Sequence, residues 1–152
     1  MGVLDSDLRS HRIIGLDTSL FIYSLENHAV YGELAGSVFI DIEDGQYEAV
    51  TSVVSLMEVT VQPLRLGQVD VVRAYQTYLG SFPNLDVVDI DRRTALIAAR
   101  LRASYRVRPA DALQLAACIE AGATAFITND LRLRQVQEIA VVTLYTYVDS
   151  GL

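Results

Sequence analysis

Five short apolar runs, separated by stretches of helical spacing, constrain this chain more than any other feature. They are IIGL ahead of Asp17, EAVTSVV from Glu48, LDVVDI from Leu85, TAFIT from Thr124 and AVVTLYTYV from Ala140. Short runs rich in β-branched and aromatic residues read as strands, and near-continuous apolar character places a strand inside a sheet covered on both faces. Strands alternating with helices predict an α/β domain built on a parallel sheet. In the last run, the period of two puts Tyr145 and Tyr147 on one face.

The intervening segments supply the helices and their ends. After Asp17, residues Leu20, Phe21, Ser24 and Leu25 fall at helical spacing, with Thr18 or Ser19 available as the cap. A second pattern spans about Tyr31 to Asp44 and stops at Gly45. In SLMEVTVQPLRLG, Ser55 and Glu58 form an S-x-x-E capping box that puts Glu58 in the first turn or so. Pro63 should kink this helix against the Val59 carbonyl, and Gly67 closes it. A further helix is expected near Val69 to Leu79, and Asp91 caps RRTALIAARLRASY. Pro109 suits a first helical position, which brings Asp111 into the first turn, and Gly122 offers a left-handed exit. Beyond Asp130, LRLRQVQE reads as a short helical piece.

A length of 152 residues without a Pro/Gly/Ser-rich linker predicts one domain. No uncharged apolar run approaches the roughly 18 residues of a membrane span. The first twelve residues, MGVLDSDLRSHR, lack the apolar centre of a secretory signal and read as a frayed N-terminal extension. They also match the acylation pattern M-G-x-x-x-S, without polybasic support. The single cysteine, Cys118, sits among Ala116, Ala117 and Ile119 as a packing residue, and a reducing, cytoplasmic setting follows. His11 and His28 lack zinc-site spacing, so any metal would be held by oxygen. All twelve basic residues are arginine, which excludes a Walker-type phosphate loop and a Schiff-base lysine. A net charge of −7 argues against a broadly basic nucleic-acid surface but not against a nuclease.

Four acids stand where strands end or helices begin: Asp17, Glu58, Asp111 and Asp130. In open α/β sheets the carboxyl ends of the strands are where ligands bind. Each acid also has a structural role open to it, as a cap or as a partner of a helix dipole. Four acids on one rim, however, would repel unless cations neutralised them. Oxygen donors shared with water suit Mg²⁺ or Mn²⁺, and the reaction natural to such ions is attack of metal-activated water on a phosphodiester. Thr128 and Asn129 are placed to orient the water or a phosphate oxygen. A haloacid-dehalogenase-type phosphatase is disfavoured, because the second acid it needs two residues after Asp17 is Ser19.

The segments LDTSLFIY, SLMEV, RPADALQLAAC and FITND resemble the successive motifs of PIN-domain nucleases, in particular the VapC-like toxin ribonucleases, from about Ile13 to Tyr147. The resemblance implies a three-layer α/β/α sandwich with a five-stranded parallel sheet of order 3-2-1-4-5, occupying residues 13–148 after an extension at 1–12. It implies Mg²⁺- or Mn²⁺-dependent endoribonuclease activity, frequent homodimers and, for the toxin of a type II pair, a small antitoxin partner. Asp17, Glu58, Asp111 and Asp130 match the family's acidic quartet, Asp17 and Asp111 being the direct metal ligands, and Thr128 its hydroxyl residue. Arg106, Arg108, Arg132 and Arg134 flank these acids and, with Asn129, are candidates for holding RNA phosphates. Two alternatives remain: a housekeeping PIN ribonuclease acting on rRNA or tRNA, and a catalytically silent binding module.

Overall fold

The structure, a computed structural model, describes residues 3–149. Strands β1 (Ile13–Leu16), β2 (Glu48–Ser52), β3 (Leu85–Val88), β4 (Ala125–Thr128) and β5 (Ala140–Thr143) form one parallel sheet in the order β3-β2-β1-β4-β5. Ile14 pairs with Ala49 on one side and Ala125 on the other, so β1 is central. The period of two then divides the core. Ile14, Leu16, Ala49, Ala125 and Ile127 belong to the apolar cluster on one side, and Val50 and Phe126 to that on the other.

On the first side lie α1 (Val3–Leu8), α2 (Thr18–Leu25), α3 (Gly32–Glu43), α4 (Val53–Arg65) and α5 (Val69–Ser81), which contribute Leu20, Phe21, Phe39, Val59 and Leu79. The second side is covered by α6 (Arg92–Ser104) and α7 (Pro109–Glu120), through Ala98, Leu101, Leu115 and Ala116. The three-layer α/β/α arrangement expected from the sequence is the one observed. Gly15 lets α7 approach the sheet: a Cβ there would stand 2.8 Å from the Cys118 Sγ and 2.9 Å from Phe126. Pro109 opens α7 and Gly122 leaves it with φ +92°, a left-handed exit. No helix among the described residues is long and apolar enough to cross a membrane.

Three local expectations need correction. The leader is not frayed over Val3–Leu8: it is helical, Leu4 and Leu8 are buried in the core, and Tyr47 and Tyr147 donate their hydroxyls to Asp5 and Asp7. Met1 and Gly2, on which the acylation pattern turns, lie outside the described residues. The last strand stops at Thr143, and Tyr145 and Tyr147 lie on α8 (Tyr145–Asp149). It stops because β4 ends at Thr128, so the Tyr145 N–H bonds the Asn129 side chain instead of a neighbouring strand. Finally, α4 begins at Val53, because the Ser52 hydroxyl accepts the Val54 N–H and caps it there. Glu58 therefore lies beyond the first turn, and Ser55 is inside the helix, not at its cap. The helix also continues two residues past Pro63.

Candidate active site

The site begins where β1 ends. Asp17 is the N-cap of α2, its extended backbone turning the chain out of the sheet. One carboxylate oxygen accepts the Thr18 N–H at 2.8 Å and the other accepts the Thr128 hydroxyl at 2.5 Å. The cap is thus Asp17 itself, not Thr18 or Ser19. Thr128, fully buried at the end of β4, also accepts the Asp130 N–H at 3.1 Å. One hydroxyl therefore fixes two of the four acids.

Burial pushes the Asp17 carboxyl up to about 6, against the donors Thr128 and Thr18, and the negative charges of Asp111 and Glu58 push it further in that direction. Asp111, in the first turn of α7, is also raised, by burial first and then by Asp130 and Glu58. Among the described residues its carboxyl has no hydrogen bond. These couplings place the four acids in one electrostatic neighbourhood. Even so, among the described residues no three His, Cys, Asp or Glu side chains stand close enough together to hold an ion as placed.

Two of the acids are held by other partners. Arg132 folds back on Asp130, donating from its N–H and Nε to Oδ1 (3.0 and 2.9 Å) and from Nη2 to Oδ2 at 2.7 Å, and holds its carboxyl below the ordinary range. Glu58, exposed on α4, accepts the Thr18 hydroxyl at 2.8 Å. The donor set still fits a hard divalent cation. It consists of oxygens only, and it includes a carboxylate whose ionised form is disfavoured by burial and by like charge, the condition a cation relieves.

The substrate-side candidates divide. Arg108 caps α7 with no side-chain bond, and its charge reaches both Asp111 and Asp130. Arg106 is exposed beside it. Arg132 is occupied with Asp130, and Arg134 donates to the Thr143 and Thr146 hydroxyls. Asn129 donates its amide N–H to the Tyr23 hydroxyl and accepts the Tyr145 N–H on its oxygen, so it braces the rim.

Sequence reasoning missed Gln114. It lies in α7 one turn after Asp111, 1% exposed, and bonds Ser52, Thr51 and Ser55. The signal was available: a long amide at i+3 from the acid, within an otherwise apolar helix face, asks for a buried polar partner.

The family model for the PIN domain matches residues 14–139. No curated protein matches the chain. Among solved structures, the chain is similar to VapBC2 from Rickettsia felis bound to a DNA fragment from their promoter (TM-score 0.65, 14% identity, covering 86% of this chain and 98% of that one). A toxin–antitoxin complex from Klebsiella pneumoniae gives a TM-score of 0.66 at 20% identity, with 86% and 96% covered. DNA-bound VapBC from Salmonella typhimurium gives 0.60 at 20% identity, with 87% and 98% covered. At these identities the likeness is one of fold.

Proposed function

The chain belongs to the PIN domain family, and from that premise we propose that it is a divalent-metal-dependent endoribonuclease, the toxin of a toxin–antitoxin pair. The observation that carries this reading is Asp17: a carboxylate at the carboxyl end of the central strand, fixed through both oxygens and raised by burial and two neighbouring acids. Such a group is stabilised by a cation, and the cation proposed is Mg²⁺ or Mn²⁺. Asp17 and Asp111 would be its direct ligands, with Glu58 and Asp130 completing the set. When bound, the ion supplies Lewis-acid stabilisation of the phosphodiester and a water of lowered pKa.

The remaining steps belong to the protein. Thr128 holds Asp17 and Asp130 in register through one hydroxyl, and Thr18 does the same for Asp17 and Glu58 through its N–H and O–H. Arg108, with Arg106 beside it, draws the phosphate backbone toward an otherwise negative rim. Arg132 serves both sides, clamping Asp130 while RNA is absent and offering its charge to a phosphate when RNA arrives. The nuclease unit would be residues 13–148, acting in the cytoplasm as a homodimer.

The antitoxin reading is supported by a groove beside Glu58, lined by Ile22, Leu25, Val59, Pro63 and Leu66, which suits an apolar helix. The solved neighbours include complexes of a toxin with its antitoxin.

The test is cleavage of defined single-stranded and structured RNAs with Mg²⁺ or Mn²⁺, compared with EDTA and with Asp17→Ala. Both treatments are expected to abolish cleavage. Cleavage that survives both would overturn the reading.

A further inference from the structure

Beneath the acidic rim runs a connected chain of buried polar side chains. The Gln114 amide lies between β1, β2 and α4. Its Nε2 faces the Leu16 carbonyl (3.4 Å), the Thr51 hydroxyl (3.2 Å) and the Ser55 hydroxyl (2.5 Å), while its Oε1 accepts the Ser52 hydroxyl. The Leu16 carbonyl can only accept, which favours the orientation with Nε2 on its side.

Thr51 donates to the Leu16 carbonyl at 2.9 Å, and Thr18 donates to Glu58 at 2.8 Å. Ser55 lies 2.8 Å from Thr51 and 2.9 Å from Thr18, with one proton to give. Thr51 also receives the second amide N–H of Gln114, and its oxygen keeps a further lone pair, so the Ser55 proton can go to either neighbour. The result is one connected series: the Gln114 amide to the Ser55 hydroxyl at 2.5 Å, Ser55 to Thr18 at 2.9 Å, and the Thr18 O–H to Glu58 at 2.8 Å.

Every member except Glu58 is buried, with Gln114, Ser55, Thr51 and Thr18 at 1%, 0%, 0% and 5% exposure. Hydrogen bonds in series polarise one another, and a buried network with all its members satisfied holds one arrangement. Among the described residues, the second oxygen of Glu58 carries no hydrogen bond. That carboxylate is thus anchored through one oxygen with the other left available.

We propose that Gln114 is a positioning residue for Glu58, acting through Ser55 and Thr18 to hold one carboxylate oxygen so that the other is presented to a divalent cation. The proposal rests on the metal-dependent reading above. It is distinct from a packing role, because its effect must pass through the Ser55 hydroxyl. Residues that orient metal ligands from behind contribute about 10–100-fold to affinity.

The experiment is calorimetric titration of the RNA-free protein with Mn²⁺ across a double-mutant cycle of Gln114→Met and Ser55→Ala. Gln114→Met keeps the length of the side chain and removes the amide. Each single variant is expected to weaken Mn²⁺ binding roughly tenfold or more, and the double variant no further than the weaker single. A residue that only packs would lower the melting temperature while leaving Mn²⁺ affinity at the parent value, or would give effects that multiply in the double variant; either result overturns the proposal. Should Gln114→Met fail to fold, Ser55→Ala decides alone, since it deletes only the connecting hydroxyl: parental Mn²⁺ affinity there overturns the proposal. A parent protein that binds no Mn²⁺ overturns the metal-dependent reading and this proposal with it, whereas a binding parent with unaltered variants overturns this proposal alone.

Discussion

Replacing Asp17 by Asn should stabilise the metal-free protein at neutral pH. In the folded chain the Asp17 carboxyl is raised to about 6 from an ordinary 3.8, burial being the main cause. Between those two values the folded chain holds a proton that the unfolded chain has released. Stability therefore falls as pH rises through that window and levels off above it. A rise of that size corresponds to roughly 3 kcal/mol of disfavoured charge. Asn keeps the shape: its oxygen can take the Thr18 N–H, and its amide can donate to the Thr128 hydroxyl oxygen. The Thr128 proton then loses its acceptor, at a cost of about 1 kcal/mol or more.

The net gain is about 1–2 kcal/mol, or roughly 2–8 °C in melting temperature for a chain of this size. The assay is thermal unfolding of both proteins in EDTA from about pH 4 to about pH 8. The variant should melt higher above the folded-state value, and the gap should close toward the acid end. Added Mn²⁺ should reverse the order, raising the parent and leaving the variant nearly unmoved. A parent at least as stable as the variant near neutral pH in EDTA, or a gap that does not grow with pH, would refute the account of Asp17 as a buried charge awaiting a cation.

Three further outcomes follow from particular contacts. Gly15→Ala puts a Cβ within 2.9 Å of Cys118 and Phe126, so it should cost about 1–3 kcal/mol in chemical denaturation, with partial recovery on adding Cys118→Ala. Leu8→Ala, on the leader helix, removes a side chain only 2% exposed and should cost about 2–4 kcal/mol; an unchanged unfolding midpoint would mean that α1 does not dock in solution. Arg132→Ala frees Asp130 from its two-pronged partner, so Mn²⁺ binding without RNA should tighten severalfold while KM for RNA rises; a variant with weakened Mn²⁺ binding would contradict the clamp.

Much of the fold was legible because its signals are local. Apolar runs marked the five strands, Pro109 and Gly122 bracketed α7, and Asp91 does cap α6 by accepting the Thr94 N–H. The errors arose where a local signal was outbid by a contact distant in sequence. AVVTLYTYV has the composition of a long strand, yet a strand extends only while its neighbour does, and the neighbour β4 ends at Thr128. The polar leader conceals two leucines four residues apart, the spacing that buries one face of a short helix.

The S-x-x-E pair shows the same limit at the site itself. Read along the chain, Ser55 and Glu58 describe a capping box; in space, Ser55 is claimed by Gln114 from 59 residues away and Glu58 by Thr18 from 40. The Ser52 hydroxyl can cap α4 only because the helix starts three residues earlier than that motif suggests, and this shift is what turns the Ser55 hydroxyl inward to Gln114 and Thr18. A motif of four residues fixes which groups are present, not which partner they choose. The position of the acids is therefore readable from strand ends and helix starts, whereas the Thr18 bond to Glu58 and the proposed support behind it, from Gln114 on an α7 that packs over Gly15, are contacts that no window of the sequence contains. If Gly15→Ala lifts α7 from the sheet, it should disturb Gln114 before it disturbs Asp17, whose own anchors come from α2 and β4. Its Mn²⁺ affinity should then fall toward that of Ser55→Ala even under conditions where the protein remains fully folded.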